Sequence, residues 1–587
     1  MKNYNKLIMI CAGLAPVMGV SAQQQANDST VNRTVVVENQ YNPEVMDAFK
    51  VNVLPKIEEP AVAKKQIDYA TTLYPLSAFH VSPMEAISRD FTQTSAKRGY
   101  LRASYGNRNN TDIKGSYLWD ITSRDRLDVM ASFYGYSGEI GSGFDFDDVS
   151  GIPVLNSDKE WKHRFFRTDA SLKYQHYFRK VSMNLGGAFA SQVFSYMPDV
   201  LLPGSDNSDN SGISNEAYSF GHQHFTMGEG YIGFTSVKDA LPVEFGIQTG
   251  FKAFQRKYAI PLMDDITEKT VHTEGYMSGA INEEQNVGVA LSMDNMMYGE
   301  PLKDYSLIKL NPYYSLQNED LSLRIGAHVD FQTDNGSGIK VAPDVKFAYT
   351  FAGSYVFYAN ITGGTRLNDF RTLNEVSPFW TQTAQLKTSY TPYDLSVGLK
   401  ASPANGLGLN LFGGYRETRD ELFTQIPMGI SSTGGIYSAF AQAKAKVAYA
   451  GLSLDYAYRD LFDFGFAVNY YNWSIGKAGN NSESGTGADY SDGLLWLKPE
   501  LLFGFHARAK VFDGMHAWLK YTYEGRKKCL GIKADPVNEL NIGADYSFNE
   551  RVNIFLSLNN ILNKNYVTQT GYPVQGFNVM AGVSLNF

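Results

Sequence analysis

The chain has 587 residues, of which 43% are apolar and 19% charged, and its formal net charge is −8. This acidic balance excludes a nucleic-acid-binding function based on a basic surface. Of the two cysteines, Cys11 lies in an apolar N-terminal run and Cys529 is left alone. The sequence therefore predicts neither an internal disulfide framework nor a cysteine metal site.

Residues 1–22 have the pattern of a secretory signal peptide. Lys2 and Lys6 precede an apolar run from Leu7 to Val20, and Val20-Ser21-Ala22 is a small-residue cleavage site. The run is too short for a membrane anchor. We expect cleavage after Ala22 and a mature protein outside the cytoplasm.

Residues 23–98 differ in character from the rest of the chain. Their first ten residues are polar, and Thr34-Val35-Val36-Val37-Glu38-Asn39 is a short β-prone run. Prolines at 43, 55, 60, 75 and 83 then interrupt any regular element. We predict an N-terminal extension over 23–98, facing the periplasm or entering the lumen of the domain that follows.

From Gly99 onward the chain is a series of short alternating segments. In Leu321–Phe331 the odd-numbered residues are Leu, Leu, Ile, Ala, Val and Phe, whereas the even-numbered ones are Ser, Arg, Gly, His and Asp. Charged residues at every second position are costly in a packed sandwich but not beside a water-filled lumen. The 38 Tyr, 36 Phe and 53 Gly are also typical of a transmembrane barrel with aromatic girdles.

The connections alternate in length as well. Short turns such as Thr122–Asp125 and Phe548–Arg551 take every second position, and longer loops lie between them. The long loops are predicted at Glu139–Glu160, Pro198–Ala217, Asn368–Gln385, Glu417–Gly434 and Gly476–Asp492. This asymmetry predicts an all-β fold over 99–587, a transmembrane antiparallel up-and-down β-barrel of about 22 strands with both termini periplasmic.

The C-terminal block ends in a strand that alternates Phe577, Val579, Ala581, Val583, Leu585 and Phe587 with small or polar residues. Before it stand Asn560-Ile561-Leu562-Asn563-Lys564-Asn565-Tyr566 and Gly571-Tyr572-Pro573. This block resembles the C-terminus of the TonB-dependent outer-membrane receptors. The terminal aromatic also resembles the signal that the outer-membrane assembly machinery reads.

The resemblance implies a partner and a site in the N-terminal extension. Thr34, Val35, Val36 and Val37 resemble the Ton box, the segment that TonB captures by strand addition in this family. A strand docked against the barrel's own lumen or rim is an equal interpretation of the same residues. The extension departs from the family because it is too short and too proline-rich for the standard folded plug.

A barrel of about 22 strands encloses a lumen too wide for wall side chains to fill. Three elements are candidates for closing it: the extension, the long loops folding inward, or a partner protein.

Other candidate sites are weaker. His222 and His224 lie on one face of a strand without a third metal ligand, and the acidic loops Asp145–Asp148 and Asp206–Asn210 match no EF-hand. Ser377-Pro378-Phe379-Trp380 places adjacent aromatics in an expected surface loop, where a sugar or a partner could dock, although a girdle position is favoured. No motif for a catalytic site, a metal or a cofactor is present, so no enzyme is predicted.

The sequence thus predicts an outer-membrane barrel that transports or binds a solute. The alternative is a structural or assembly subunit that uses a plugless barrel as scaffold. The expected partners are outer-membrane lipid and TonB or another envelope protein, and no nucleic acid.

Overall fold

The computed structural model describes residues 98–141, 145–146, 153–154, 160–197, 222–238, 240–258, 267–336, 338–380, 385–425, 438–476, 490–529, 532–569 and 572–587. These residues contain one closed antiparallel sheet of 22 strands. The predicted all-β, up-and-down barrel and its strand number are confirmed. Among the residues described, no helix combines the length and the apolar character needed to cross a bilayer.

The barrel strands, numbered β1 to β22 in chain order, are Gly99–Gly106, Thr111–Asp120, Asp125–Gly141, Glu160–Tyr177, Val181–Ser195, His222–Ser236, Val243–Arg256, Thr267–Ala280, Gln285–Tyr298, Tyr305–Gln317, Leu321–Thr333, Gly338–Phe351, Tyr355–Arg366, Ser389–Ala404, Leu407–Thr424, Phe440–Tyr458, Phe462–Ile475, Pro499–Phe512, Met515–Arg526, Val537–Ser547, Val552–Asn559 and Asn578–Asn586. One α-helix, α1 (Phe370–Val376), and two 3-10 turns, Asn107–Asn109 and Tyr490–Leu495, lie between strands of this described part. Three short strand pairs join Asp145–Phe146 to Pro153–Val154, Lys528–Cys529 to Ile532–Lys533, and Val567–Gln569 to Tyr572–Pro573.

The ring closes where the first strand meets the last. β1 pairs with β22 from Tyr100 opposite Asn586 to Gly106 opposite Met580. At one end of this pairing, two backbone hydrogen bonds join Gly99 and Phe587. The Gly99 amide donates to the Phe587 carbonyl over 2.7 Å, and the Phe587 amide donates to the Gly99 carbonyl over 2.9 Å. A Cβ at position 99 would collide with the Phe587 ring, so glycine permits this contact.

The two faces of the strands differ as the alternation predicts. On β11, Ile325 is 50% exposed on the outer face, whereas Asp330 on the inner face is 1% exposed. Inward-facing Arg324 pairs with Asp344 of β12 over 2.8 Å, and the Asn311 amide of β10 donates to the same carboxylate. Exposed apolar side chains therefore cover the outside, and charged side chains pair with one another along the inner wall.

The turns and loops alternate in length around the two ends of the barrel. At the short-turn end, strands are joined by two to six residues, as at 405–406 and 237–242. The connections at the opposite, long-loop end reach 26 residues, at 196–221. Two predicted loop starts are wrong, because β3 continues past Glu139 to Gly141 and β15 continues past Glu417 to Thr424.

Substitution of Ile247 by Arg tests which face meets lipid. Ile247 is 53% exposed on the outer face of β7, and an arginine there costs about 2–4 kcal/mol at mid-depth in a bilayer. We expect a lower yield of heat-modifiable, folded barrel in membranes. The neighbouring Gln248→Arg is the control, since position 248 faces inward opposite Glu274. An equal loss of folded barrel in both variants would contradict the assignment of position 247 to the outer face and position 248 to the inner face.

Candidate functional site

The connection between β13 and β14 folds into the barrel at its long-loop end. Its first part, residues 367–380, is called here the mouth segment and contains α1. The helix begins at Asp369, whose carboxylate accepts a hydrogen bond from the Thr372 amide over 2.9 Å. It ends at Ser377, which has an extended backbone and precedes Pro378, a residue that disfavours helical geometry in its predecessor.

Polar contacts fix α1 to the inner wall. The Phe370 amide donates to Glu268 of β8 over 2.8 Å, and Arg371 pairs with Glu229 of β6 over 3.1 Å. A third contact joins the Asn374 side chain to Gln192 of β5 over 3.1 Å. Because these partners lie on three strands, the helix is held at several points around the wall.

Aromatic packing buries the rest of the mouth segment. Trp380 is 0% and Phe379 2% exposed. The Trp380 ring lies 5.7 Å from Phe225 and 6.0 Å from Phe254, both on inner faces of wall strands, and 5.0 Å from Phe370. Burial of such large rings is worth several kcal/mol, so this segment is part of a core.

Other connections at the long-loop end contribute to the same core, which we call the mouth cluster. Phe379 stacks on Tyr572 of the last connection, with ring centroids 3.6 Å apart and an interplanar angle of 8°. The buried members of the cluster are Trp161, Phe165, Phe194, Tyr196, Met197, Phe225, Met227, Phe254, Phe370, Leu373, Phe379, Trp380, Leu422, Phe423, Phe440, Ala443, Ala445, Leu495, Trp496, Ala534, Val567 and Tyr572. Of the three candidates for closing the lumen, the structure thus describes the inward-folding loops.

A cavity of about 570 Å³ lies beside the mouth cluster, across the closure of the ring. We call it the seam cavity. Its walls come from β2–β5 at one end of the chain and β19–β22 at the other, and mouth-segment residues Asn374, Pro378 and Phe379 border it. Its volume is that of a small-molecule site.

Two of the three carboxylates that line the seam cavity, Asp169 and Glu539, have close partners. Asp169 pairs with Arg167 over 2.9 Å. Glu539 accepts hydrogen bonds from the Tyr566 hydroxyl and, over 2.8 Å, from the Asn541 amide. Burial, and then the nearby Glu539 carboxylate, raise the pKa of Tyr566. Tyr566 therefore remains a protonated donor at physiological pH.

A lysine lies among aromatic rings elsewhere at the long-loop end. The ammonium group of Lys498 is 5.0 Å from the centre of the Phe423 ring and 5.4 Å from that of Trp473. Burial lowers the pKa of Lys498 to about 8, and the carboxylate of Glu421 opposes this shift. Glu421 is itself paired with Arg366 over 3.2 Å.

The structure places the residues singled out by sequence as follows. Thr34, Val35, Val36 and Val37 lie outside the described residues. His222 and His224 are on the outer face of β6 and contact Ser195 over 3.2 Å and Ser191 over 2.8 Å. Within the described ranges, no group of three or more His, Cys, Asp or Glu side chains could hold a metal ion.

The acidic loops are only partly described. Asp145–Phe146 forms a short strand with Pro153–Val154, whereas residues 147–148 and 206–210 lie outside the described ranges.

The interpretation of Ser377–Trp380 as a surface or girdle segment is wrong. Ser377, Phe379 and Trp380 are all buried in the lumen. The signal that could have indicated this is the apolar spacing of Phe370, Leu373 and Val376 just before them, which is helical and typical of a core-facing segment.

Solved structures share this architecture. A variant of the FrpB iron transporter from Neisseria meningitidis matches with a TM-score of 0.61 at 12% identity, covering 84% of this chain and 82% of that one. A variant of the ferric enterobactin receptor PfeA from Pseudomonas aeruginosa, in complex with enterobactin, gives 0.60 at 11% identity over 84% and 81%. The copper transporter OprC gives 0.57 at 12% identity over 84% and 82%.

These neighbours are TonB-dependent receptors, and at such identities the likeness establishes a shared fold. The resemblance seen in the C-terminal block is confirmed at the level of the fold, because the chain has the same kind of barrel as these receptors. No protein-family model and no curated protein matches the sequence.

Substitution of Trp380 by Ala tests whether the mouth cluster holds α1 in place. Loss of a buried Trp side chain costs about 3–5 kcal/mol, so we expect the amides of residues 370–376 to exchange at least a hundredfold faster with solvent deuterium. Mass spectrometry of the purified protein in detergent measures this. Trp119→Ala is the control, since Trp119 is 52% exposed. Unchanged exchange in Trp380→Ala would show that the polar contacts alone hold the helix.

Substitution of Lys498 by Met tests the cost of its burial. The folded-state pKa of Lys498, about 8, is below the ordinary lysine value. The unfolded chain therefore binds more protons between these two values, and wild-type stability rises with pH through that window. At pH 7 we expect Lys498→Met to raise the thermal midpoint, by a free energy on the order of 1 kcal/mol.

The difference between Lys498→Met and wild type should shrink as the pH approaches 10, where the wild-type lysine is neutral. A difference that stays constant from pH 7 to pH 10 would contradict the burial cost.

Proposed function

We propose that the protein is an outer-membrane receptor that binds a solute and passes it through its barrel. The observation that carries the proposal is the seam cavity. This space of about 570 Å³ is enclosed by the barrel and borders the mouth segment. A solute bound there contacts both the fixed wall and the segment that occludes the lumen. We infer a binding and transport role without enzymatic chemistry.

A scaffold subunit, the alternative function, needs a barrel but no internal binding space. The cavity and the buried contacts of α1 favour the receptor. The fold neighbours include an iron transporter, a ferric enterobactin receptor and a copper transporter by name, which supports transport as the general role without indicating this chain's solute.

The proposed location in the outer membrane is supported by the apolar outer face of the barrel. Exposed apolar side chains such as Ile247, Ile325 and Leu411 suit contact with outer-membrane lipid. We infer that the long-loop end faces the exterior and that both termini face the periplasm. Residues 1–22 are proposed as a signal peptide and 23–98 as an extension before the barrel at 99–587.

We further infer that Thr34, Val35, Val36 and Val37 form the segment that TonB captures by strand addition. Energy from the inner membrane would then reach the barrel through the extension. The short Val-rich run supports this role.

Deletion of Thr34–Asn39 in the producing bacterium tests the proposal. We expect growth to fall on at least one limiting nutrient, tested as iron, copper and carbohydrate sources, while folded barrel remains at wild-type level. A purified periplasmic domain of TonB should retain the full chain but not the deletion variant. Deletion of Ala61–Gln66, equal in length, is the control. Unchanged growth with loss of co-purifying envelope proteins would favour the scaffold instead.

A further inference from the structure

The polar lining of the seam cavity consists largely of side-chain amides. Nine of the lining residues are Asn or Gln: Asn110, Gln192, Asn374, Asn541, Asn559, Asn560, Gln569, Gln575 and Asn578. Many of these amides already bond one another, as Gln192 does with Asn374 and Asn559 with Asn578. An amide has two donor hydrogens and two acceptor lone pairs, so most of them keep capacity for the hydroxyl groups of a ligand. A surface rich in amides therefore complements a ligand rich in hydroxyl groups.

Aromatic rings line the same space. They are Tyr134, Tyr136, Phe165, Phe379, Tyr566 and Tyr572. Phe379 and Tyr572 cover each other's faces, whereas Tyr134 and Tyr136 are only half-buried and leave part of their flat apolar rings and polar edges accessible. The combination of flat apolar faces and amides fits a ligand whose own faces are apolar and whose rim carries hydroxyl groups.

The formal charges around the cavity balance. Three carboxylates, Asp112, Asp169 and Glu539, stand against three cations, Lys114, Arg167 and Lys520. Asp169 is paired with Arg167, and Asp112 lies 3.7 Å from Arg102. A lining without net charge provides no general attraction for an anionic or a cationic ligand.

Two buried acceptors in the lining lack a hydrogen-bond partner within the described part of the chain. They are Oδ1 of Asp112, whose residue is 2% exposed, and Oδ1 of Asn559, whose residue is 9% exposed. A buried acceptor without a hydrogen bond destabilises the folded protein. Both atoms are covered in this structure, so a ligand hydroxyl group would reach them only after these side chains turn towards the cavity.

We propose that the seam cavity binds a neutral, hydroxyl-rich ligand of the carbohydrate class, the size of a short oligosaccharide. This inference rests on the proposed receptor function and specifies its ligand. The amides of the lining bond the hydroxyl groups, and the rings contact the apolar faces of the sugar. The ligand also touches the mouth segment at Asn374 and Phe379.

Equilibrium dialysis of the purified full chain in detergent tests the ligand class. The probes are neutral di- to tetrasaccharides released from starch, cellulose, xylan and mannan, with ferric enterobactin and Cu²⁺ as charged probes, all detected by mass spectrometry. We expect the wild type to retain at least one neutral sugar. Binding of that sugar should weaken at least tenfold in Asn559→Leu and in Gln575→Ala.

Two controls separate local from general effects. Asn553→Leu changes an amide on the same face of β21, outside the lining, and should bind the sugar as the wild type does. The second control, Lys520→Met, removes a lining cation and separates retention of a charged probe from retention of a neutral sugar.

Retention of no neutral sugar, or equal weakening in Asn553→Leu, would overturn the inference. So would retention of a charged probe alone, lost in Lys520→Met; in that case the receptor function stands and only the ligand class fails. If no probe of any class is retained and deletion of Thr34–Asn39 leaves growth unchanged, the receptor function fails as well.

Discussion

Backbone hydrogen bonding in a medium without water is the constraint on which this structure depends. A strand in lipid cannot leave its amides and carbonyls unpaired, so a sheet that spans a bilayer must close on itself. Here the closing contact is the pair of backbone hydrogen bonds between Gly99 and Phe587. It joins residues 488 positions apart, and the outer apolar surface and the inner polar wall both require the ring that it completes.

A closed ring of 22 strands then has a second problem, its wide lumen. In the described part of the chain, aromatic rings and amide side chains of the mouth segment and neighbouring connections fill this lumen at the long-loop end. α1 is too short to be stable alone. Its position depends on wall residues of β5, β6 and β8, and on the stack of Phe379 against Tyr572. The seam cavity is the space that this packing leaves beside the closure.

The barrel could be predicted from sequence because its signal is local. The alternation of Leu321–Phe331 and of Phe577–Phe587 identifies strands and faces without knowledge of any partner. The mouth segment could not be placed in the same way. Phe379 and Trp380 stand in a long connection, and the residues that bury them, such as Phe194 and Phe225, lie more than 150 positions away. The helical apolar spacing of Phe370, Leu373 and Val376 is a local signal of a core-facing segment, but it does not indicate which residues form that core.

The seam cavity illustrates the same limit more strongly. Lys114 and Lys520 line one space although the chain between them forms most of the barrel. Since the cavity and the Tyr572 side of the mouth cluster are built from residues far apart in the chain, neither can form before the residues as far as Met580 have been synthesised. A prematurely terminated product consequently has no partial version of either feature. Nested C-terminal truncations therefore cannot map the lining of the seam cavity, whereas internal point substitutions can.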